Sequence, residues 1–376
     1  MASKRLWKNI LRLILIIVAV VVVLIIFSDW IVELLWLDNL GYRDVFWTIK
    51  GTQVSLFIGA LIVSLIYMIP NMNRLARNFR FMSFSHGPLA QLNLHAIRPH
   101  FKKIFLGLGI LVCFIFSIAF FTQWDAFFRF FWNQPFSQVD PIFNNDLSFY
   151  IFRLPFIQVV QTSLTFLVFF ITAAMIVLYL YSGEIRLTSQ RKLNVPDSIK
   201  KQLFINIGIW LLLLSWGFYL DRYNILNSQS GVVYGAGYTD VNFILPATWI
   251  VCIMCFLLAL LAFFQLYRKQ IKWLVLSGAA TVGVGIIGLV ILPAAIQNFV
   301  VQPNELQLEK PFIENNIKLT RSAYALNKMK ERRYSPNDSL TWEQLQNNES
   351  VIKNVRLWDQ RLLIETYRQL QEIRLY

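Results

Sequence analysis

The chain has 376 residues, of which 56% are hydrophobic and 15% charged, against roughly 25% charged in an ordinary soluble domain. Its mean hydropathy is +0.52, and the apolar residues fall in long blocks, which argues against a soluble globular domain over most of the length. A formal net charge of +14 would suit a nucleic-acid binder, but its distribution along the chain points to no nucleic-acid partner.

In chain order, seven apolar blocks are long enough to cross the roughly 30 Å hydrocarbon core of a bilayer as helices. They cover 6–27, 51–69, 104–121, 159–181, 203–220, 247–267 and 273–296. Lipid offers the backbone no hydrogen bonds, so each block must satisfy its own as a helix. The first block has a basic start like a secretory signal. It leads into Ser28, Asp29 and Trp30 with no small-residue cleavage pattern, so it reads as an uncleaved anchor.

The segments between the blocks differ in charge. The stretches 1–12, 70–103, 182–202 and 268–272 together hold 18 Lys/Arg and 2 acidic residues, while the intervening short loops hold 5 and 9. Basic flanks stay in the cytosol. The N-terminus is therefore expected inside and the C-terminus outside the plasma membrane.

The expected fold class is an all-α membrane protein: a bundle of seven transmembrane helices over 1–296, then a short helical segment, 297–376, beginning an extracytoplasmic domain. The second helix of that segment is still running at Tyr376, so the domain reads as truncated.

The loop 70–103 interleaves Arg74, Arg77, Arg80 and Arg98 with Phe79, Phe81 and Phe84. Arginines can meet anionic headgroups while phenylalanines enter the interface, so its expected partner is the lipid bilayer. His86, His95 and His100 lie there too, at spacings that fit no metal template.

The loop 122–158 carries Phe127, Phe128, Phe131 and Trp132 on neighbouring helical faces, which predicts an interfacial amphipathic helix. The oxygens between Asp140 and Asp146 could hold Ca²⁺, but they match no established loop and read as turn chemistry. In the loop 221–246, Gly231, Gly235 and Gly237 lack the lysine of a phosphate cradle and read as a surface turn. On the last span, Ser277, Thr281 and Gly285 form a small-residue row suited to close packing within the bundle, with a contact between copies as the other use. In the tail, Pro311 is expected to open a helix carrying Ile313, Ile317 and Tyr324. A second helix is expected to run through Trp358, Leu363, Tyr367 and Leu370, capped near Asp359.

Reaction chemistry is sparse. The centres of the seven spans hold no Asp, Glu, His, Lys or Arg, which argues against an ordinary proton relay. Gln161, Asn206, Ser215 and Gln265 are their strongest polar groups, and single amides mostly join helices. Cys252 and Cys255 are spaced as a redox pair but sit mid-span among Ile253, Met254 and Phe256, so they read as packing. Glu305 and Glu309 read as soluble surface charges. No catalytic, cofactor-binding or metal-binding residue is assigned, and the chain leans away from being an enzyme.

Several segments carry a family resemblance. They are Asp140-Pro-Ile-Phe-Asn-Asn-Asp-Leu-Ser-Phe-Tyr150 followed by Leu154-Pro155-Phe156, Gly235-Ala-Gly-Tyr-Thr-Asp240, Gln302-Pro-Asn-Glu305, Glu314-Asn-Asn-Ile317 with Thr320-Arg321, and Val355-Arg-Leu-Trp-Asp359 with Gln369 to Tyr376. Together they resemble Uncharacterised Protein Family 0182, large bacterial membrane proteins with several N-terminal spans and a big extracytoplasmic region. The resemblance implies a plasma-membrane location and a continuation of several hundred residues past Tyr376, and it supplies no catalytic residues. The function expected is a membrane scaffold presenting an external domain; the alternative is a channel or transporter for an uncharged or lipidic solute.

Overall fold

The computed structural model describes residues 2–81, 101–181, 185–187, 193–333, 341–356 and 358–371. Their regular structure is helical apart from a two-residue antiparallel ladder, in which Arg186 pairs with Asn194 and Leu187 with Leu193, and an isolated bridge between Val139 and Asp146.

The helices in order are α1 (Ala2–Asn39), α2 (Arg43–Phe81), α3 (Phe101–Phe121), α4 (Trp124–Phe131), α5 (Leu154–Tyr181), α6 (Asp197–Asp221), α7 (Leu245–Arg268), α8 (Ile271–Ile286), α9 (Leu292–Ile296), α10 (Glu305–Ala323), α11 (Trp342–Asn347), α12 (Glu349–Asn354) and α13 (Gln360–Gln371). Two compact units divide after Leu319.

Among the described residues, five helical runs are long and apolar enough to cross a membrane: Arg43–Asn78, Phe149–Leu180, Asp197–Asn227, Asp240–Arg268 and Ile271–Ala323. A sixth candidate is α3 joined to α4 through a bend of 57°. The first apolar block lies on α1, many of whose side chains fall outside the described set.

Helix ends outrun the apolar blocks. α2 continues through Pro70 to Phe81, and α1 continues past the first block to Asn39, where Gly41, at a φ of +79°, makes the tight turn into α2.

The long apolar helices are buried along one stripe. On α2 the buried positions Phe46, Lys50, Gln53, Ala60, Ser64, Met68, Asn71 and Leu75 recur at steps of three, four or seven residues, the period of a one-faced helix. The opposite face leaves Ile58, Ile62 and Ile66 exposed, and the same holds for Leu111 and Ile115 on α3 and for Ile253, Leu257 and Leu260 on α7.

The first unit is organised around α6, which packs on α7 and α5; α2 packs on α3, and α8 on α7. Its largest core joins Met68, Leu75, Phe105, Cys113, Ile171, Met175, Tyr179 and Ile199. Close approach depends on glycines at three crossings. A Cβ on Gly109 would lie 2.4 Å from Met68 Sδ, one on Gly208 2.8 Å from the Phe263 ring, and one on Gly217 2.6 Å from Gln161 Nε2. Of the small-residue row expected on the last apolar block, Thr281 is buried and a Cβ on Gly285 would lie 3.8 Å from Val251, while one on Gly283 would meet open space.

Four π-helical turns share one cause. They cover Phe149–Arg153, Asp240–Ile244, Ile287–Ile291 and Gln297–Val301, and each is followed two residues later by a proline: Pro155, Pro246, Pro293 and Pro303. Proline has no N–H to donate, and its ring collides with the carbonyl four residues back. That carbonyl belongs to the middle of the π turn in every case, and widening the helix there relieves the collision without ending the helix.

In the tail, Pro311 lies inside α10 and does not open it. The helix was already running from the last span, through the Gln297–Val301 turn and a 3-10 turn at Gln302–Asn304. Consequently the face expected from Ile313, Ile317 and Tyr324 is not the one used. Ile317 and Tyr324 are exposed, while Leu308, Glu309, Phe312, Ile313, Asn316 and Leu319 form the more buried side.

In the second unit, α13 begins beside Asp359, whose Oδ1 accepts from Arg361 N at 3.0 Å. The polar stretch before it contains α11, opened by a reciprocal Thr341–Gln344 cap, and α12.

Candidate functional site

The strongest polar constellation in the first unit joins the glycine-rich segment 228–240 to α10. The segment folds back on itself: Gly235 N donates to Ser228 O at 2.9 Å, and Gly235 takes a φ of +129°, which a side chain would oppose. It then presents two consecutive amides, at the start of the next helical run, to two carboxylates. Gly237 N donates to Asp240 Oδ2 at 3.0 Å, and Tyr238 N donates to Glu309 Oε1 at 3.0 Å. Ser230 Oγ also donates to Asp240 Oδ2, at 3.1 Å.

Both acids are enclosed, Asp240 at 2% and Glu309 at 1% relative exposure. Glu309 Oε2 has no hydrogen-bond partner. Its carboxylate seats against two glycines. A Cβ on Gly237 would lie 3.0 Å from Oε1, and one on Gly231 would lie 3.6 Å from Oε2.

Burial pushes the Glu309 carboxyl above the ordinary range. The Tyr238 amide opposes the shift, and the negative charges of Asp240 and Glu305 add to it. Around the pair, Thr239 Oγ1 donates to Gln297 Oε1, Gln297 Nε2 to Ser230 O at 3.1 Å and Asn316 Nδ2 to Tyr234 O at 3.0 Å. Two elements are thereby stitched to one loop.

The expectation that Glu309 is a solvated surface charge is overturned: it is among the most buried side chains of the chain. Glu305, four residues earlier, is exposed as expected. The reason is register. The π turn at Gln297–Val301 sets which side of α10 meets the loop, and that side carries Glu309. The glycine-rich segment does form a turn, but a turn whose glycines serve the carboxylate.

The other sequence candidates are accounted for one by one. Asp140 and Asp146 are consumed by their own turn: Phe143 N and Tyr150 Oη donate to Asp140 Oδ2, while Phe136 N and Ser148 N donate to Asp146 Oδ1 and Ser137 N to its Oδ2. Hydrogen bonds from Ser148 lead those that hold Asp146 below the usual carboxylate range.

Gln161 Nε2 donates to Leu213 O at 2.8 Å and so ties α5 to α6. Ser215 Oγ donates to Cys252 O at 2.9 Å, and Cys252 Sγ returns a bond to Ser215 O, tying α6 to α7. Cys113, Cys252 and Cys255 are free and buried. Gln265 Oε1 accepts from Gln270 N, closing the end of α7 where Lys269 turns left-handed.

Asn206 belongs to a larger network than expected. Tyr67 Oη donates to Asn206 Oδ1 at 2.8 Å, Asn206 Nδ2 to Asn71 Oδ1 at 2.9 Å, and Gln202 Nε2 to Asn71 O at 3.0 Å. Tyr179 Oη donates to Gln202 Oε1 at 2.8 Å. These groups join α2, α5 and α6. The sequence signal for Asn71 and Gln202 was present, but both fall just outside the apolar blocks.

His86, His95 and His100, with Phe84 and Arg98, lie outside the described residues. Among the described residues, no three His, Cys, Asp or Glu side chains come together as a metal centre.

At the C-terminal end of α6, Arg222 stacks over Tyr219 at 4.0 Å, Tyr223 at 4.5 Å and Trp249 at 5.1 Å, and donates to Tyr223 Oη. A groove of about 510 Å³ lies along α2 beside α4, lined by Trp47, Thr48, Gly51, Thr52, Ser55, Leu56 and Phe127. Neither feature brings together a nucleophile, a base and an orienting group.

Taken together, fold and site define an all-helical protein with several helices apolar enough for a membrane, whose buried polar groups chiefly fasten helices to one another. The chain belongs to the uncharacterised protein family UPF0182, whose sequence profile matches residues 10–376.

Relatives include a UPF0182 protein of Salinibacter ruber, 37% identical over 92% of this chain and 37% of its own length. Another, from Trichodesmium erythraeum, is 33% identical over 92% of this chain and 38% of its own length. A third, from Bradyrhizobium diazoefficiens, is 30% identical over 96% of this chain and 40% of its own length. The chain thus spans well under half the length of these relatives. No solved structure matches it.

Proposed function

We propose that the chain is a multi-pass plasma-membrane scaffold that carries an extracytoplasmic domain. In this reading seven helices span the bilayer over 1–296, the N-terminus is cytoplasmic, and the region from 297 onward is external. The basic stretch 70–103 then faces anionic lipid on the cytosolic side.

One observation carries the scaffold role. The last span does not stop at the membrane surface. It continues as a helical run of 53 residues, Ile271–Ala323, about 80 Å of helix at 1.5 Å per residue, although its apolar part is the single block 273–296. The part beyond the lipid is fastened to the loop between α6 and α7 through Glu309, Gln297 and Asn316. A helix held at two levels transmits position, which suits a support for whatever follows it.

The transport alternative needs polar groups free to meet a solute. Gln161 and Asn206, its two best candidates, already spend their amides on neighbouring helices.

A deletion series in a null strain tests the reading. Removal of everything after Ile296 is expected to abolish complementation while leaving the protein in the membrane. Inserting Gly-Pro-Gly after Asn304, which breaks the helical continuity, is expected to do the same. Full complementation by either variant would refute the scaffold role. Solute flux in proteoliposomes that is lost on Gln161→Leu would support transport instead.

A further inference from the structure

We infer that Asp240 and Glu309 form a binding site for a hard divalent cation, Ca²⁺ by preference, which locks α10 to the glycine-rich loop. Three features lead there. Two acids sit at 2% and 1% exposure on adjoining amides of one turn. Among the described residues neither forms an ion pair with Lys, Arg or His. Above all, Glu309 Oε2 is buried and unpartnered, although a buried carboxylate oxygen without a donor costs one to several kcal/mol. A bound cation satisfies that oxygen and cancels the mutual repulsion of the pair.

The donor set selects the ion. The oxygens at hand are the carboxylates of Asp240 and Glu309 and the hydroxyl of Ser230; among the described residues no cysteine or histidine stands with them. Oxygen-only sites made of carboxylate, hydroxyl and carbonyl favour Ca²⁺, whose coordination number and geometry are forgiving, over Zn²⁺ with its nitrogen and sulfur ligands. Two carboxylates, not three or four, place the affinity in the weak range of extracellular modules, a Kd of about 10⁻⁴ to 10⁻³ M. Gly237 supplies room: a side chain there would occupy the space beside both Glu309 oxygens. This site is distinct from the acidic turn at Asp140 and Asp146, where no buried carboxylate oxygen is left without a donor. It stands or falls independently of what the scaffold presents.

The test uses the full chain in detergent micelles, stripped with EGTA and titrated with CaCl₂ by calorimetry while its unfolding temperature is followed. Ca²⁺ is expected to bind with about one high-occupancy equivalent, to raise the unfolding temperature progressively and to do so more than Mg²⁺ at equal concentration. Glu309→Gln is expected to abolish both effects. Ser230→Ala, which only loosens the positioning of Asp240, is expected to weaken binding about tenfold. Asp125→Asn, at an exposed acid elsewhere, leaves both unchanged.

Wild-type protein that shows no Ca²⁺-dependent heat or stabilisation overturns the inference, whether or not any variant folds. A Ca²⁺ response retained in Glu309→Gln overturns it as well. So does a wild-type stability that falls with rising pH and ignores Ca²⁺, which would make the occupant of the site a proton.

Discussion

Glu309 constrains its neighbours unequally, and the difference can be measured. A Cβ on Gly237 would meet the carboxylate at 3.0–3.1 Å, tighter than ordinary packing, whereas one on Gly231 would sit at 3.6 Å, a normal contact. Gly237→Ala is therefore expected to destabilise the first unit by about 1–3 kcal/mol as an overpacking change, and Gly231→Ala to stay within about 0.5 kcal/mol. Chemical denaturation in micelles separates the two.

The same carboxyl imposes a pH dependence in calcium-free buffer. Its folded-state value lies above the ordinary 4.5 because of burial first, then the Asp240 and Glu305 charges. The folded protein thus holds this proton more tightly than the unfolded chain, and stability falls as the medium withdraws it. Stability from this group is greatest below the ordinary value, declines as pH rises through the raised one, and then levels. Glu309→Gln keeps the side chain neutral throughout, so its unfolding temperature should lack that decline. A parallel decline in wild type and variant would assign the dependence elsewhere.

At the level of elements, the prolines set rotation as well as limits. Each of the four π turns adds one residue to a helical turn two positions ahead of a proline, and one residue is about 100° of helix rotation. The turn at Gln297–Val301 therefore decides which side of α10 faces the loop.

Pro303→Ala removes the steric reason for that turn. In an ordinary helix interior, replacing proline by alanine gains about 3 kcal/mol. Here the expected outcome is a loss of about 1–2 kcal/mol, because the helix re-registers and Glu309 leaves its cradle. Cysteine cross-linking between positions 238 and 309, efficient in a Tyr238→Cys, Glu309→Cys chain and lost when Pro303→Ala is added, would report the rotation directly. Undiminished cross-linking would show that the turn persists without its proline.

The polar residues of the spans act at this scale too. Asn206, Gln161 and Ser215 were visible as isolated polar positions in apolar blocks, and their role in joining helices was readable from that isolation. That Asn206 meets Tyr67 and Asn71 was not, because a partner is chosen by how α2 and α6 cross and not by any local pattern. The glycines at the tightest crossings, Gly109, Gly208 and Gly217, carry no local signal for the same reason.

For the whole molecule, the outward-facing apolar rows are the dominant physical fact. In the five spans that qualify on their own, at most 44% of the most apolar window is buried inside the protein, so most of that surface faces whatever surrounds the bundle. In water such area would cost roughly 25 cal/mol per Å², and lipid removes that cost. Alkaline carbonate is therefore expected to leave the chain in membranes. A reporter of external location fused after Arg333 should be active, and the same reporter placed within 82–100 should be silent. Carbonate extraction, or the reverse reporter pattern, would refute the topology proposed here.

Composition and period alone determined that the chain is helical, where its apolar stretches lie and that their centres lack ionisable groups; the family resemblance rested on particular segments such as Asp140 to Tyr150. These follow from local rules: how many apolar residues a bilayer demands and how often a helix returns to one face. Only the tertiary structure decided that Glu309 is buried against Gly237 beside Asp240, because 71 residues separate it from the amide it accepts from and its face is set by a proline-driven turn. A charged residue in a soluble-looking tail is ordinarily solvated, and nothing local to it announces the cradle that encloses it.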